Sequence, residues 1–283
     1  MTTLVNDLAP GRPARLRVPL GIAAGGGMLL VLLAASALAP WIAPYDPTAQ
    51  NLNAMLLPPS AAHWFGTDNF GRDVFTRVLY GAAIDLRIGI LAVIFPLVFG
   101  GLTGGVAGYV GGWADAVVMR TVDVITAVPF TVLVIAIVAF LGPSEANIII
   151  AIGAVDWIIF ARLVRGEVLR DKHLEYVDAL RALGYSRWRI VLRHLLPNAI
   201  PPATVFLASD VVLVILTTAA LGFLGLGVRP PAPEWGLMIS DGRMFLYNGW
   251  WAAAMPGFAC MYAGIAFILI GDGLTDLLRI RGQ

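Results

Sequence analysis

Residues 162–202 read RLVRGEVLRDKHLEYVDALRALGYSRWRIVLRHLLPNAIPP and lie between two long apolar runs. They hold eight of the nineteen basic residues: Arg162, Arg165, Arg170, Lys172, Arg181, Arg187, Arg189 and Arg193. The first half places Leu174, Val177, Leu180 and Leu183 at every third position, with Glu175, Asp178 and Arg181 elsewhere, as one short amphipathic helix requires. Gly184 suits the left-handed residue that follows such a helix, and Ser186 suits the N-cap of a second one. That second helix carries Trp188, Val191, Leu192, Leu195 and Leu196 on one face and Arg189 and Arg193 on the other, with Pro197 expected to end it. A pair of interfacial helices lying on anionic lipid satisfies the same pattern.

Outside this loop the chain is a membrane protein. It has 283 residues, of which 59% are hydrophobic and 13% charged, and a mean hydropathy of +0.82; soluble domains are roughly 25% charged. The formal charge of +1 says nothing for nucleic acid, because the basic residues sit beside apolar runs. A single cysteine, Cys260, excludes an intramolecular disulfide, and His63, His173 and His194 have no zinc spacing, so no metal site is expected. Lys172 is the one lysine, and no G-x-x-x-x-G-K-[ST] surrounds it. Any ATP must therefore be hydrolysed on another chain. G-x-S-x-G and H-E-x-x-H are also missing, and no catalytic residue or cofactor is expected.

The order of segments predicts an all-α polytopic protein with six membrane crossings. Residues 1–17 form a basic tail with Arg12, Arg15 and Arg17, followed by a first span over 18–43. Its apolar length of about 25 residues exceeds a signal-peptide core and reads as uncleaved. Residues 44–83 are turn-rich and nearly charge-balanced, as an outer segment should be. The remainder, 84–283, holds five further spans. The second, near 84–110, carries Gly100, Gly104 and Gly108, with Gly112 next in the series, a small-residue ridge for close helix packing. The third follows the link Gly111–Asp115 and runs to about Leu141, with a kink at Pro129 and an Arg120–Asp123 pair at its start. The fourth covers about 146–159, the fifth follows Pro202 to about Leu226, and the sixth covers about 250–277. Six crossings put both termini and the 162–202 loop on the cytoplasmic side, where the basic residues are.

At this point the residues resemble a known family. Asp178-Ala179-Leu180, Gly184 and Leu196-Pro197 are similar to the EAA loop of ABC-importer permeases, with Asp178 in place of the glutamate, Leu180 of the second alanine and His194 of the isoleucine. Phe65-Gly66-Thr67-Asp68-Asn69-Phe70-Gly71-Arg72-Asp73-Val74-Phe75, Leu221–Gly227 and Trp235-Gly236 resemble the peptide/nickel subgroup and its C-type permease. The resemblance implies a type I ABC importer permease fold in a bacterial plasma membrane. It also implies a B-type permease partner, two cytoplasmic ATPase subunits, separate or fused, with ATP and Mg bound there, and an extracytoplasmic substrate-binding protein. Asp178, Ala179, Arg181, Gly184, Tyr185, Ser186, Leu196 and Pro197 would then couple ATPase movement to the permease. Di- and oligopeptides are the expected cargo, with nickel chelates, glutathione or haem as alternatives.

Asp156 and Asp210 fall inside the fourth and fifth spans, where each costs about 2.5–3.5 kcal/mol on insertion scales. They are candidates for the translocation pathway, or for the ion-coupling site of a secondary transporter, which is the competing class. Trp64, Trp235, Trp250 and Trp251 are candidates for an outer aromatic belt or for contact with a binding protein. Arg87, Asp272 and Asp276 lie near span ends, where snorkelling accounts for them.

Overall fold

A computed structural model of the chain describes residues 19–281. The basic tail at 1–17 lies outside the described residues, as do the side chains of Arg279 and Arg281. The first apolar run folds as helix α1 (Leu20–Ala37) and a short α2 (Ala39–Ile42). The chain then loops back on itself, Leu56 N donating to Asp68 O and Thr67 N to Leu57 O, both at 3.0 Å. Helix α3 (Val74–Val110) starts well before the expected Ile84. Asp73 sets that start, its Oδ1 accepting from Thr76 N at 2.7 Å as an N-cap.

The third span departs from the expectation of one kinked helix. It comprises α4 (Gly112–Thr126) and α5 (Phe130–Leu141), which meet at 84°. Pro129 lacks the N–H that would continue α4 and disfavours helical geometry in Val128, so the break falls there. Lys172 Nζ donates to Gly108 O at 2.9 Å beside the start of α4. Arg229 Nε donates to Pro143 O at 2.9 Å just beyond α5. These two anchors lie at opposite ends of the bundle, and among the described residues five helices are long and apolar enough to cross a membrane, six passes if the bent pair is one span.

Helix α6 (Glu145–Asp171) is capped by Ser144, whose Oγ accepts from Asn147 N at 3.2 Å. It extends far past the expected Ile159, so Arg162, Arg165 and Arg170 are helical residues and not part of a loop. Two of them recruit α4: Arg162 pairs with Asp123 at 2.9 Å and Arg165 Nη2 with Asp115 Oδ2 at 2.6 Å. Asp123 therefore does not take the expected partner Arg120, because the neighbouring helix offers a cation on the facing side.

The basic stretch then forms α7 (Glu175–Ala182) and α8 (Arg187–Ile190), and a wide turn over Val191–Leu195 joins α8 to α9 (Leu196–Phe223). Pro197 does not end a helix; it sits in the first turn of α9. Its missing N–H leaves the Arg193 carbonyl without the usual partner, and the chain widens so that Leu196 N bonds Val191 O, five residues back. After α9 come α10 (Trp235–Gly242) and α11 (Trp251–Arg281).

Packing follows two buried clusters. The larger joins α3, α5, α6, α9, α10 and α11 through residues such as Ile88, Val134, Ile152, Ile215, Trp235 and Phe267. The smaller joins the C-terminal end of α6 to the α7–α8 hairpin through Phe160, Val164, Val168, Val177, Ile190 and Leu195. Between apolar helices in lipid, close van der Waals fit replaces the hydrophobic effect as the driving force. Gly100, Gly104 and Gly108 supply that fit along α3. A Cβ on Gly100 or Gly104 would collide with the backbone carbonyl of Trp157 or Ala161, and one on Gly108 would press on that of Arg165, three residues spaced by four on α6. Gly112 is not part of this ridge: α3 ends at Val110, and Gly112 opens α4, facing open space with φ +57°.

Candidate functional site

The α7–α8 hairpin is the most defined polar element at its end of the bundle. Its turn has the hydrogen bonds of a Schellman cap, with Tyr185 N donating to Leu180 O at 3.1 Å and Gly184 N to Arg181 O at 3.0 Å. The cap needs a left-handed residue, and Gly184 supplies φ +79° with nothing within 4 Å of its Cβ position. Ser186 starts α8, its Oγ accepting from Arg189 N at 3.4 Å. Asp178 pairs with Arg181 at 2.8 Å. The Arg181 guanidinium also lies 5.5 Å from the Tyr109 ring centroid at the end of α3.

Only part of the expected apolar stripe faces inward. Val177 is buried and Leu180 partly buried, whereas Leu174 and Leu183 are exposed. The tip therefore presents Leu183 (73% exposed), Tyr185 and Trp188 (62%) on a frame pinned underneath by Val177 and Ile190. Ala179 is exposed on α7, while Leu196 is buried at the start of α9. An ordered turn with an apolar tip and a buried base can receive a push from a protein surface and pass it into α6 and α9.

Asp156 on α6 and Asp210 on α9 are each 1% exposed and lie against one another. Their Oδ2 atoms meet no N–H or O–H donor, and among the described residues no cation pairs with either. The fold thus places them inside this chain, between α6 and α9.

At the other end of the bundle the structure assembles a group that residue patterns suggested only as balanced charge. Asp68 Oδ2 receives Arg72 Nε at 2.6 Å and approaches Arg77 Nε at 3.6 Å, and Arg72 reaches Asp241 at 3.4 Å. Arg72 and Arg77 are almost fully buried. The four charges tie residues 68–77 to α10, and the i, i+4 spacing of Asp68 and Arg72 was the one local signal of it. Nearby, Glu234 is buried and caps α10, accepting from Gly236 N at 2.6 Å and Leu237 N at 2.7 Å. Burial raises the Glu234 carboxyl above its ordinary range, against the lowering effect of those two N–H bonds. Burial likewise raises Asp241, with Arg72 and Arg77 opposing.

Two of the four belt candidates are interior residues. Trp235 is fully buried with its Nε1 donating to Val78 O at 3.1 Å, and Trp251 Nε1 donates to Thr67 O at 3.0 Å. Trp64 and Trp250 remain about half exposed. Arg87 is held by Glu145 and does not simply snorkel.

Residues 88–281 match the family model described as binding-protein-dependent transport system inner membrane component. Residues 22–59 match the N-terminal TM domain of oligopeptide transport permease C. The chain is 45% identical over 228 residues to the dipeptide transport system permease protein of Alkalihalophilus pseudofirmus, covering 81% of this chain and 75% of that one. It is 41% identical over 258 residues to the glutathione transport system permease protein of Pectobacterium atrosepticum, covering 90% and 85%. In fold it is similar to a chain of the inward-facing MetNI methionine ABC transporter, with a TM-score of 0.54 and 22% identity over 71% of this chain and 95% of that one.

Proposed function

We propose, for a chain that belongs to the family of binding-protein-dependent transport system inner membrane components, that it forms half of the pathway of a peptide importer and takes up ATPase movement through the α7–α8 hairpin. The chain is a permease subunit of an ABC importer and a transport component, not an enzyme. In our reading a B-type permease completes the pathway, two ATPase subunits or one fused chain bind and hydrolyse ATP, and an extracytoplasmic binding protein delivers cargo. The hairpin and both termini face the cytoplasm, which agrees with six passes and with basic residues gathered around 162–202.

The observation that carries this reading is the hairpin itself. Its exposed tip of Leu183, Tyr185 and Trp188 stands on Val177 and Ile190, which are buried against α6 and α9. An apolar tip suits a groove in a partner, and the Schellman cap makes it stiff enough to move as a unit. ATPase closure would then swing the inner ends of α6 and α9. Peptides are the cargo class best supported, since the similar dipeptide and glutathione permeases both act on short peptides by chemistry.

The test is reconstitution of the complete importer in proteoliposomes. Gly184→Val strains the turn without a steric clash, so it should abolish ATP-driven dipeptide uptake while the subunits still assemble and hydrolyse ATP. Uptake coupled as in wild type would overturn the hairpin's role. Uptake without nucleotide, by a chain that never retains an ATPase on purification, would overturn the importer reading itself.

A further inference from the structure

Beneath the hairpin lies a cavity of about 430 Å³ lined by Tyr109 and Val110 from the end of α3, Arg181 from α7, Tyr185 from the turn, and Arg187 and Ile190 from α8. Its polar contribution is two guanidinium groups and two phenols. Arg181 shares its charge with Asp178, whereas Arg187 forms no ion pair among the described residues. The cavity adjoins a recess of about 180 Å³ that shares Tyr109, Val110 and Arg187 and adds Val106 and Trp188. A recess of about 260 Å³ at Leu102 and Val106 lies against Ala114 and Val118 of α4, and another of about 200 Å³ at Val98 and Leu102 lies against Leu196 and Ile200 of α9.

Val110, Val106, Leu102 and Val98, an i, i+4 series on α3, each line one or more of these recesses and form a strip between them. Twelve residues of helix span about 18 Å, close to the roughly 15 Å of one leaflet's hydrocarbon. Val110, Leu102 and Val98 are about half exposed. The order of features along this strip is cation, phenol, then apolar side chains, beginning where α3 ends.

We propose that this groove holds one anionic phospholipid, its phosphate between Arg181 and Arg187 and an acyl chain along Val106, Leu102 and Val98. The proposal rests on the reading that the hairpin sits at the membrane surface. The lipid would then be a wedge between the end of α3 and the hairpin, the element expected to move. Charge complementarity selects an anionic head group, since a zwitterionic one brings its own cation to two arginines.

Native mass spectrometry of the intact, purified importer supplied with equal phosphatidylglycerol and phosphatidylcholine tests this. Wild type should retain phosphatidylglycerol in excess. Arg187→Gln should lower that excess about five-fold, the effect of one arginine near a lipid surface. Arg193→Gln removes an equal charge from the same stretch outside the groove and should leave it unchanged. Val106→Trp should fill the groove and displace the lipid with both arginines in place. No phosphatidylglycerol excess on wild type, an unchanged Arg187→Gln complex, or an equal loss in Arg193→Gln would each overturn the site. The count is made without nucleotide or transport, so its failure leaves the coupling role standing, and an uncoupled Gly184→Val result leaves the lipid count valid.

Discussion

Gly104→Ala isolates the seam between α3 and α6. A Cβ at Gly104 would fall 2.7 Å from both Cα and C of Ala161 and closer still to its carbonyl oxygen. Backbone atoms have no rotamer by which to withdraw, so α6 must retreat by more than an ångström for that oxygen to reach ordinary contact. A gap of about 0.5–1 Å forfeits a quarter to a half of each contact's dispersion energy, and Gly100 and Gly108 share the same seam. Overpacking of this kind costs about 3 kcal/mol at the upper end of its range. Replacing a helical glycine by alanine returns about 1 kcal/mol, leaving a net loss of about 2 kcal/mol. Gly27→Ala is the control, since nothing lies within 4 Å of its Cβ position on α1 and only the favourable term of about 1 kcal/mol applies. Cys260 is the single cysteine and is buried, so a thiol-reactive fluorophore reports unfolding directly. Gly104→Ala should melt below wild type and Gly27→Ala at or above it. A Gly104→Ala protein as stable as Gly27→Ala would refute the close α3–α6 contact.

Other side chains give separate expectations. Asp68→Ala leaves Arg72 and Arg77 buried without their shared carboxylate. It should cost about 3–5 kcal/mol, read as a lower melting point and earlier proteolysis within residues 44–73. Glu234 has a raised carboxyl pKa in the fold, so its protonated form favours folding, and that contribution is present at acid pH and lost as pH rises through the folded value. Glu234→Gln should therefore flatten the fall in melting temperature between acid and alkaline pH; an unchanged slope would assign that fall to another group. Asp156→Asn supplies from its amide the donor that Asp210 lacks and should be neutral within about 1 kcal/mol, whereas Asp156→Ala should cost about 1–3 kcal/mol. Equal melting points for the two variants would remove the Asp156–Asp210 contact from the account.

Much of the hairpin was legible because its determinants are local. Gly184 and Ser186 act on their own turn, and a cap is decided within a few residues. The five long apolar spans, and the bent pair that makes a sixth, were legible because bilayer thickness fixes apolar length. What misled was the equation of apolar length with helix length. Arg162, Arg165 and Arg170 end the apolar run but not α6, since a helix continues past the membrane wherever it finds partners, here Asp123 and Asp115 on α4. Pro197 was ambiguous because the missing N–H that forbids a helix interior is harmless in a first turn.

Long-range pairing was the least readable level. Nothing near Trp235 or Trp251 reveals that Val78 O and Thr67 O will accept their indole N–H groups. Asp241 likewise meets Arg72 across 169 positions. The apolar stripe on α7 could not tell an inward leucine from an outward one, because Leu183 carries the same period as Val177 but faces away from the bundle. That outward leucine is the more informative of the two, since surface exposed at a stiff turn is what a partner can grip.

The central claim is that the hairpin tip touches the ATPase. It is tested most directly by placing single cysteines at Leu183, Tyr185 and Trp188 in the assembled importer, with buried Cys260 silent, and cross-linking with and without ATP. The account predicts cross-links to the ATPase from all three positions, in a pattern that changes with nucleotide, and none from Tyr247 at the opposite end of the bundle. Cross-links from Tyr247 and none from the hairpin would contradict it.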